Sequence, residues 1–242
     1  MCIRDSPPDS VAALVAAAVA DRRDLVSLMA RLRTVSVWER LLVPAFVYFF
    51  AQLYPFRWVD SGRVAAAAGG CVLVRRSALD AAGGVAAVRG AVIDDVALAG
   101  AVHAAGGRLW LGLATQVRSV RPYPRLADLW AMVARSAYTQ LRHSPVLLAG
   151  TGAGLLLVYV APVACCLAGI VTGATVAALA GGLAWLLMTA SYLPQVRHHR
   201  QPGWLALTLP LVAVLYLLMT LDSARRHRAG RGATWKGRTA VG

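Results

Sequence analysis

The chain has 242 residues, 58% of them hydrophobic, and sets 25 basic side chains against 11 acidic ones for a formal charge of +14. So apolar a composition, with a positive mean hydropathy, excludes an ordinary soluble domain, and the charge carried by its front half excludes an all-membrane protein. What remains is a mixed chain whose basic surface meets anionic lipid or a phosphorylated substrate rather than nucleic acid.

Residues 1 to 10 carry Arg4, Asp5, Pro7, Pro8 and Asp9 with no apolar core, so no secretory signal opens the chain. Val11 to Ala20 reads as an Ala/Val helix with Ser10 as its cap, closed by the charged cluster Asp21 to Asp24. The continuous apolar run LVSLMA at 25–30 predicts a buried strand. Leu41 to Tyr54, flanked by Glu39, Arg40 and Arg57, is short for a membrane span and suits an interfacial helix over 38–54. Cys71 to Val74 predicts a strand, Ser77 to Ala82 a helix ended by Gly83-Gly84, Asp94 to Ala105 a helix ended by Gly106-Gly107, and Leu109 to Leu113 a further strand. This is α/β order. Cys2, Cys71, Cys165 and Cys166 form neither a CxxC nor a paired ligand spacing, which makes them packing residues rather than a zinc site or a disulfide framework.

The second half is different. Pro145 to Val171, Ala174 to Pro194 and Gly203 to Leu221 hold no formal charge, and each reaches the roughly 20 residues that a membrane helix needs. Three full crossings place RHHRQP (197–202) on the side of residues 1–144 but the basic tail from Arg225 to Arg238 on the other. The positive-inside rule disfavours that. Either one apolar run is re-entrant, or the first stretch, broken by Gly150, Gly152, Gly154 and Pro162, holds more than one pass, and an inside C-terminus is the expectation.

The most pointed feature of the front half is Asp94-Asp95, two adjacent carboxylates after a Gly-rich stretch in a basic chain. They fall in the first turn of a helix whose apolar face is Val96, Leu98, Ala99 and Val102, where backbone N–H groups and the helix dipole favour negative charge. One aspartate there is accounted for as an N-cap. Two exceed what a cap needs.

Taken together, GGCVLVRRSALDAAGG (69–84), IDDVALAGAV (93–102) and RLWLG (108–112), followed by MVARSAYTQLRHSP (132–145) and the membrane runs, resemble the back half of an inverting family 2 glycosyltransferase of GT-A fold. WERLLVPAFVYFFAQLYPFRWV (38–59) and TWKGR (234–238) extend the likeness to the hopene-associated glycosyltransferases of bacteria, relatives of ceramide glucosyltransferases. The fold class implied is α/β, the C-terminal half of a GT-A domain, followed by an α-helical transmembrane region. The implied division is a partial GT-A domain over 1–144, transmembrane helices over 145–221 and a basic cytoplasmic tail over 222–242.

The resemblance also implies roles. Asp95 is the base that takes the acceptor's hydroxyl proton, with Asp94 its neighbour; Gly69, Gly70 and Cys71 are the acceptor-side segment; Arg135, Gln140 and Arg142 contact the donor diphosphate. There are departures: Gly100 and Ala101 stand where the family helix carries an arginine, and no tryptophan follows the Gln140 to His143 segment as in the (Q/R)xxRW motif. The family's DxD, which holds Mg²⁺ or Mn²⁺ beside the diphosphate, is absent. IRDSPPDSVAALVAAA resembles the family sequence immediately after the DxD, so the expectation is an N-terminally truncated chain that lacks the donor-binding half, has no metal site of its own and does not turn over alone. The partners implied are the lipid bilayer, a nucleotide-sugar donor and a lipid acceptor, a hopanoid by family likeness, at a bacterial inner membrane with the catalytic domain cytoplasmic. Two alternatives are a non-catalytic membrane anchor or scaffold, and a small transporter of PQ-loop type through the Pro194-Gln195 pair.

Overall fold

A computed structural model describes residues 10–230, 234–235 and 238–239. The likeness read on residues 1–9, and that of the TWKGR side chains, lie outside the described residues. The chain forms two compact units, one of residues 10–33 and 49–122, the other of 34–48 together with the described residues from 123 onward.

The first unit is mixed α/β. Its centre is β1 (Leu25–Arg31), where Leu25, Val26, Ser27, Met29 and Ala30 are all buried, as a strand with a neighbour on each edge requires. The sheet order is β2-β1-β3. β2 (Cys71–Val74) runs antiparallel, with Leu28 opposite Cys71, and β3 (Leu109–Arg118) runs parallel, with Leu25 opposite Leu109. β3 is longer than its apolar LWLGL start, because alternation continues it to the buried Val117. Around the sheet lie α1 (Ser10–Ala20), which starts at Ser10 itself, α3 (Phe56–Asp60), α4 (Arg76–Ala81) and α5 (Asp94–Ala104), closed by Gly106 at φ +86°. The cluster Asp21 to Asp24 does more than end α1. Arg23 pairs with Asp60 at 2.6 Å and reaches the Leu109 carbonyl at 3.2 Å, while Asp24 accepts the Arg108 N–H at 2.9 Å and pairs with Arg75 at 3.2 Å.

α2 (Val37–Leu53) crosses from the second unit into the first between Tyr48 and Phe49. It begins at Val37, one residue ahead of the 38 expected, where Ser36 and Glu39 make a capping box: the Ser36 hydroxyl accepts the Glu39 N–H at 3.1 Å, and Glu39 Oε2 accepts the Ser36 N–H at 2.9 Å. Glu39 is wholly buried, and its other oxygen accepts the Tyr123 N–H at 2.6 Å.

The second unit is helical. α6 (Leu126–Gln140) leads to α7 (Pro145–Leu155), a π-helical stretch over Leu156–Val160 and α8 (Ala161–Thr172), together one helix of 28 residues. Pro145 at its first turn and the Ser144 hydroxyl, accepting the Leu147 N–H at 3.3 Å, fix where it starts. α9 (Thr175–His198) returns alongside α8 so closely that a Cβ on Gly181 would lie 2.5 Å from the Cys166 backbone nitrogen. A 3-10 stretch, Gly203–Thr208, then enters α10 (Leu209–Arg228), and the short pair β4 (Thr234–Trp235) and β5 (Arg238–Thr239) comes after it. The three apolar runs thus form three helical segments long and apolar enough to cross a membrane, 145–172, 175–198 and 203–228. The first part of the segment read as a tail, 222–228, is the end of α10, tied by Asp222 and Arg226 at 2.7 Å.

Candidate active site

The site in the first unit starts from one polar residue in the apolar β1 run. Ser27 is fully buried, and its hydroxyl accepts the Ala68 N–H at 2.8 Å. Its own proton has two carbonyls in reach, Ala68 at 3.1 Å and Cys71 at 3.2 Å. The segment 68–71 is thereby fastened across β1. Gly70 allows the approach: a Cβ there would stand 2.9 Å from the Ala30 Cβ.

That fastening aims the Gly69 N–H at α5. It donates to Asp95 Oδ2 at 2.6 Å, while Oδ1 accepts the Val96 N–H at 2.8 Å. Gly69 leaves the room this needs, because a Cβ on it would lie 3.0 Å from Oδ2. Neither aspartate is the N-cap. Ile93 holds that position without a side-chain bond, and Asp94, exposed, accepts the Asp95 N–H at 3.1 Å. Burial pushes the Asp95 carboxyl above the usual carboxylate range; donation from Val96 and Gly69 opposes the shift, and the Asp94 charge adds to it. Each Asp95 oxygen is steadied by one backbone N–H and keeps acceptor capacity for another proton donor. A fixed, partly desolvated carboxylate of raised pKa has the attributes of a general base.

Cys71 begins β2, half-buried, and burial raises its thiol, so it is a packing group rather than a thiolate nucleophile. The structure therefore brings Gly69, Gly70 and Cys71 together with Asp95 and Asp94 in one unit. Arg135, Gln140 and Arg142 belong to the other. Arg135 and Gln140 sit on α6 five residues apart, about 140° around the helix axis, and Arg142 is exposed in the left-handed turn beyond it at φ +51°. α6 is held to α10 by Trp130 Nε1 donating to Asp222 at 2.8 Å and by the Tyr138 N–H donating to the Ser223 hydroxyl at 3.0 Å.

Ser27 is the positioning residue that the motifs did not mark. It left a trace in the sequence, a lone hydroxyl inside LVSLMA. Among the described residues no group of three or more His, Cys, Asp and Glu is placed to hold a metal ion.

A mixed α/β unit is joined here to helical segments long and apolar enough to cross a membrane. The chain belongs to glycosyl transferase family 21, whose sequence model matches residues 11–238. No curated protein and no solved structure gives a significant match. The motifs pointed to family 2 and the family found is 21; what they share, glycosyl transfer, stands, and it displaces the transporter alternative raised by Pro194-Gln195.

Proposed function

We propose that the chain serves inverting transfer of a sugar from a nucleotide-sugar to a lipid acceptor, with Asp95 as the base. In that step the acceptor hydroxyl gives its proton to the Asp95 carboxylate while its oxygen bonds to the anomeric carbon. The bond from that carbon to the nucleotide diphosphate breaks, and its electron pair leaves with the phosphate oxygen. The observation that carries the reading is the Asp95 carboxylate, lifted in pKa by burial and held by the Gly69 N–H at 2.6 Å. The Gly69 to Cys71 segment would border the acceptor hydroxyl, and the arginines of the α6 region, Arg135 and Arg142 with Gln140, would meet the diphosphate by charge-assisted hydrogen bonds.

A lipid acceptor is favoured by the long apolar helices, and a hopanoid one by the sequence likeness. A nucleotide-sugar donor favours the cytoplasmic face of a bacterial inner membrane. GT-A architecture is part of the same reading, supported by the parallel pairing of β1 and β3 and by the α/β order. Asp95→Asn, made in a version that also carries the donor-binding half, tests it: transfer falls on the order of 10²-fold or more, while Asp94→Asn keeps most of it. Full transfer by Asp95→Asn in membranes holding equal protein overturns the assignment.

A further inference from the structure

We infer that the segment 203–228 does not cross the bilayer but enters and leaves on one face, so that the chain spans the membrane twice, by 145–172 and 175–198. The contacts that trace its path all belong to the second unit. The end of α10 stands beside the start of α7: the His143 and His227 rings stack at 4.0 Å, two residues before Pro145 and one before the end of α10. The start of the segment lies on that same face. Gln201 donates to the Thr34 hydroxyl at 3.1 Å, Ser36 two residues further donates to the Tyr123 carbonyl at 3.3 Å, and Tyr123 leads by three residues into α6, whose own end runs into His143. Both ends of 203–228 are therefore tied to the α6 side.

Its depth can be followed between those ends. Trp185 Nε1 donates to the Leu207 carbonyl at 3.3 Å, and Trp185 lies 13 helical residues, about 20 Å, from the end of α9 at His198. So the 3-10 stretch climbs inward along α9, with Gly203 beside Leu193 on the way. α10 then descends antiparallel to α7. Leu217 meets Gly152, about 10 Å into α7, and His227 meets His143 at the face. By the same register the start of α10 at Leu209 falls opposite the π-helical stretch Leu156–Val160, and α10 never runs alongside α8. Its six-residue 3-10 entry is about 12 Å long, too short for the roughly 30 Å hydrocarbon core.

Packing agrees with this path. Of the apolar window of 203–228, 39% is buried in protein, against 11% and 17% for the two spanning helices. Irregular backbone at membrane depth is tolerated where protein covers it. The basic clusters at Arg197 and Arg200, at Arg142, and at Arg225, Arg226 and Arg228 then share one face, as the positive-inside rule favours.

The test is single-cysteine labelling of the full chain, with its four native cysteines replaced by alanine, in sealed membrane vesicles with a membrane-impermeant maleimide. Arg142→Cys, Arg197→Cys and Arg228→Cys are expected to label together, and Ala174→Cys only from the opposite side. A reporter fused after Gly242 supplies a second reading that needs no cysteine variant, and it is expected to report the side of Arg142. Labelling of Arg228→Cys with Ala174→Cys, or a reporter active on the Ala174 side, means three full crossings and overturns the inference.

Discussion

Gly69→Ala is the sharpest test of how the backbone sets the Asp95 carboxylate. The added methyl would stand 3.0 Å from Asp95 Oδ2 and 3.5 Å from Cγ, inside the roughly 3.5–4.0 Å at which heavy atoms attract. The carboxylate withdraws by a few tenths of an ångström, and the 2.6 Å bond from the Gly69 N–H weakens. A hydrogen bond to a charged group contributes about 1.5–3 kcal/mol. Losing a third to a half of it, about 1 kcal/mol, raises the Asp95 pKa further. The sign is fixed: Gly69 donation lowers this pKa, so weakening it adds to the upward shift that burial already causes. A base works deprotonated, so the acid limb of kcat/KM moves to higher pH, and transfer at low pH falls by about fivefold. Transfer rates in membranes across the carboxylate range, for wild type, Gly69→Ala and Gly70→Ala in a version that also carries the donor-binding half, make the comparison. Gly70→Ala meets β1 instead, at 2.9 Å from the Ala30 Cβ and 3.3 Å from its nitrogen, and lowers stability with the acid limb unmoved. An unshifted limb in Gly69→Ala, or the same shift in both variants, refutes the reasoning.

Ser27→Ala removes the acceptor of a buried N–H and leaves Ala68 without that partner; it costs about 1–3 kcal/mol, read as a lowered Tm in detergent, with a loss of transfer as segment 68–71 loosens. Glu39→Ala strips the carboxylate that accepts the N–H groups of Val35, Ser36 and Tyr123; at least about 2 kcal/mol is lost, and Glu39→Gln, which keeps one acceptor oxygen, recovers part of it in the same melting assay.

Much of the fold was legible because its signals are local. The LVSLMA run is a buried strand since a central strand has no solvent face, and the Gly106-Gly107 pair stops α5 because a positive φ is needed there. The Asp94-Asp95 pair stands out in the sequence as charge out of place. The contacts around it do not, because Ser27 reaches Ala68 across 41 positions and no pattern of spacing encodes such a pairing. The path of 203–228 was hidden for a like reason. Hydropathy reports that a run is apolar and long, whereas the choice between lipid and protein as its neighbour is made by distant contacts such as Trp130 with Asp222 and Trp185 with Leu207. The charge imbalance between Arg225 and Arg238 was the one sequence feature that registered the difficulty. α2 shows the intermediate case, since its capping box stood in the sequence at 36–39 but was overshadowed by the aromatic run after it.

The π-helical stretch Leu156–Val160 gives the long helix 145–172 a change of phase in mid-course. A widened turn takes up about one extra residue, which advances the stripe of side chains by about 100° relative to an unbroken α-helix. The half before it turns toward α10 and the half after it toward α9. One rod therefore serves two partners that approach from different azimuths, and deleting a single residue from 156–160 would bring both halves into one stripe, leaving it able to satisfy either neighbour but not the two together.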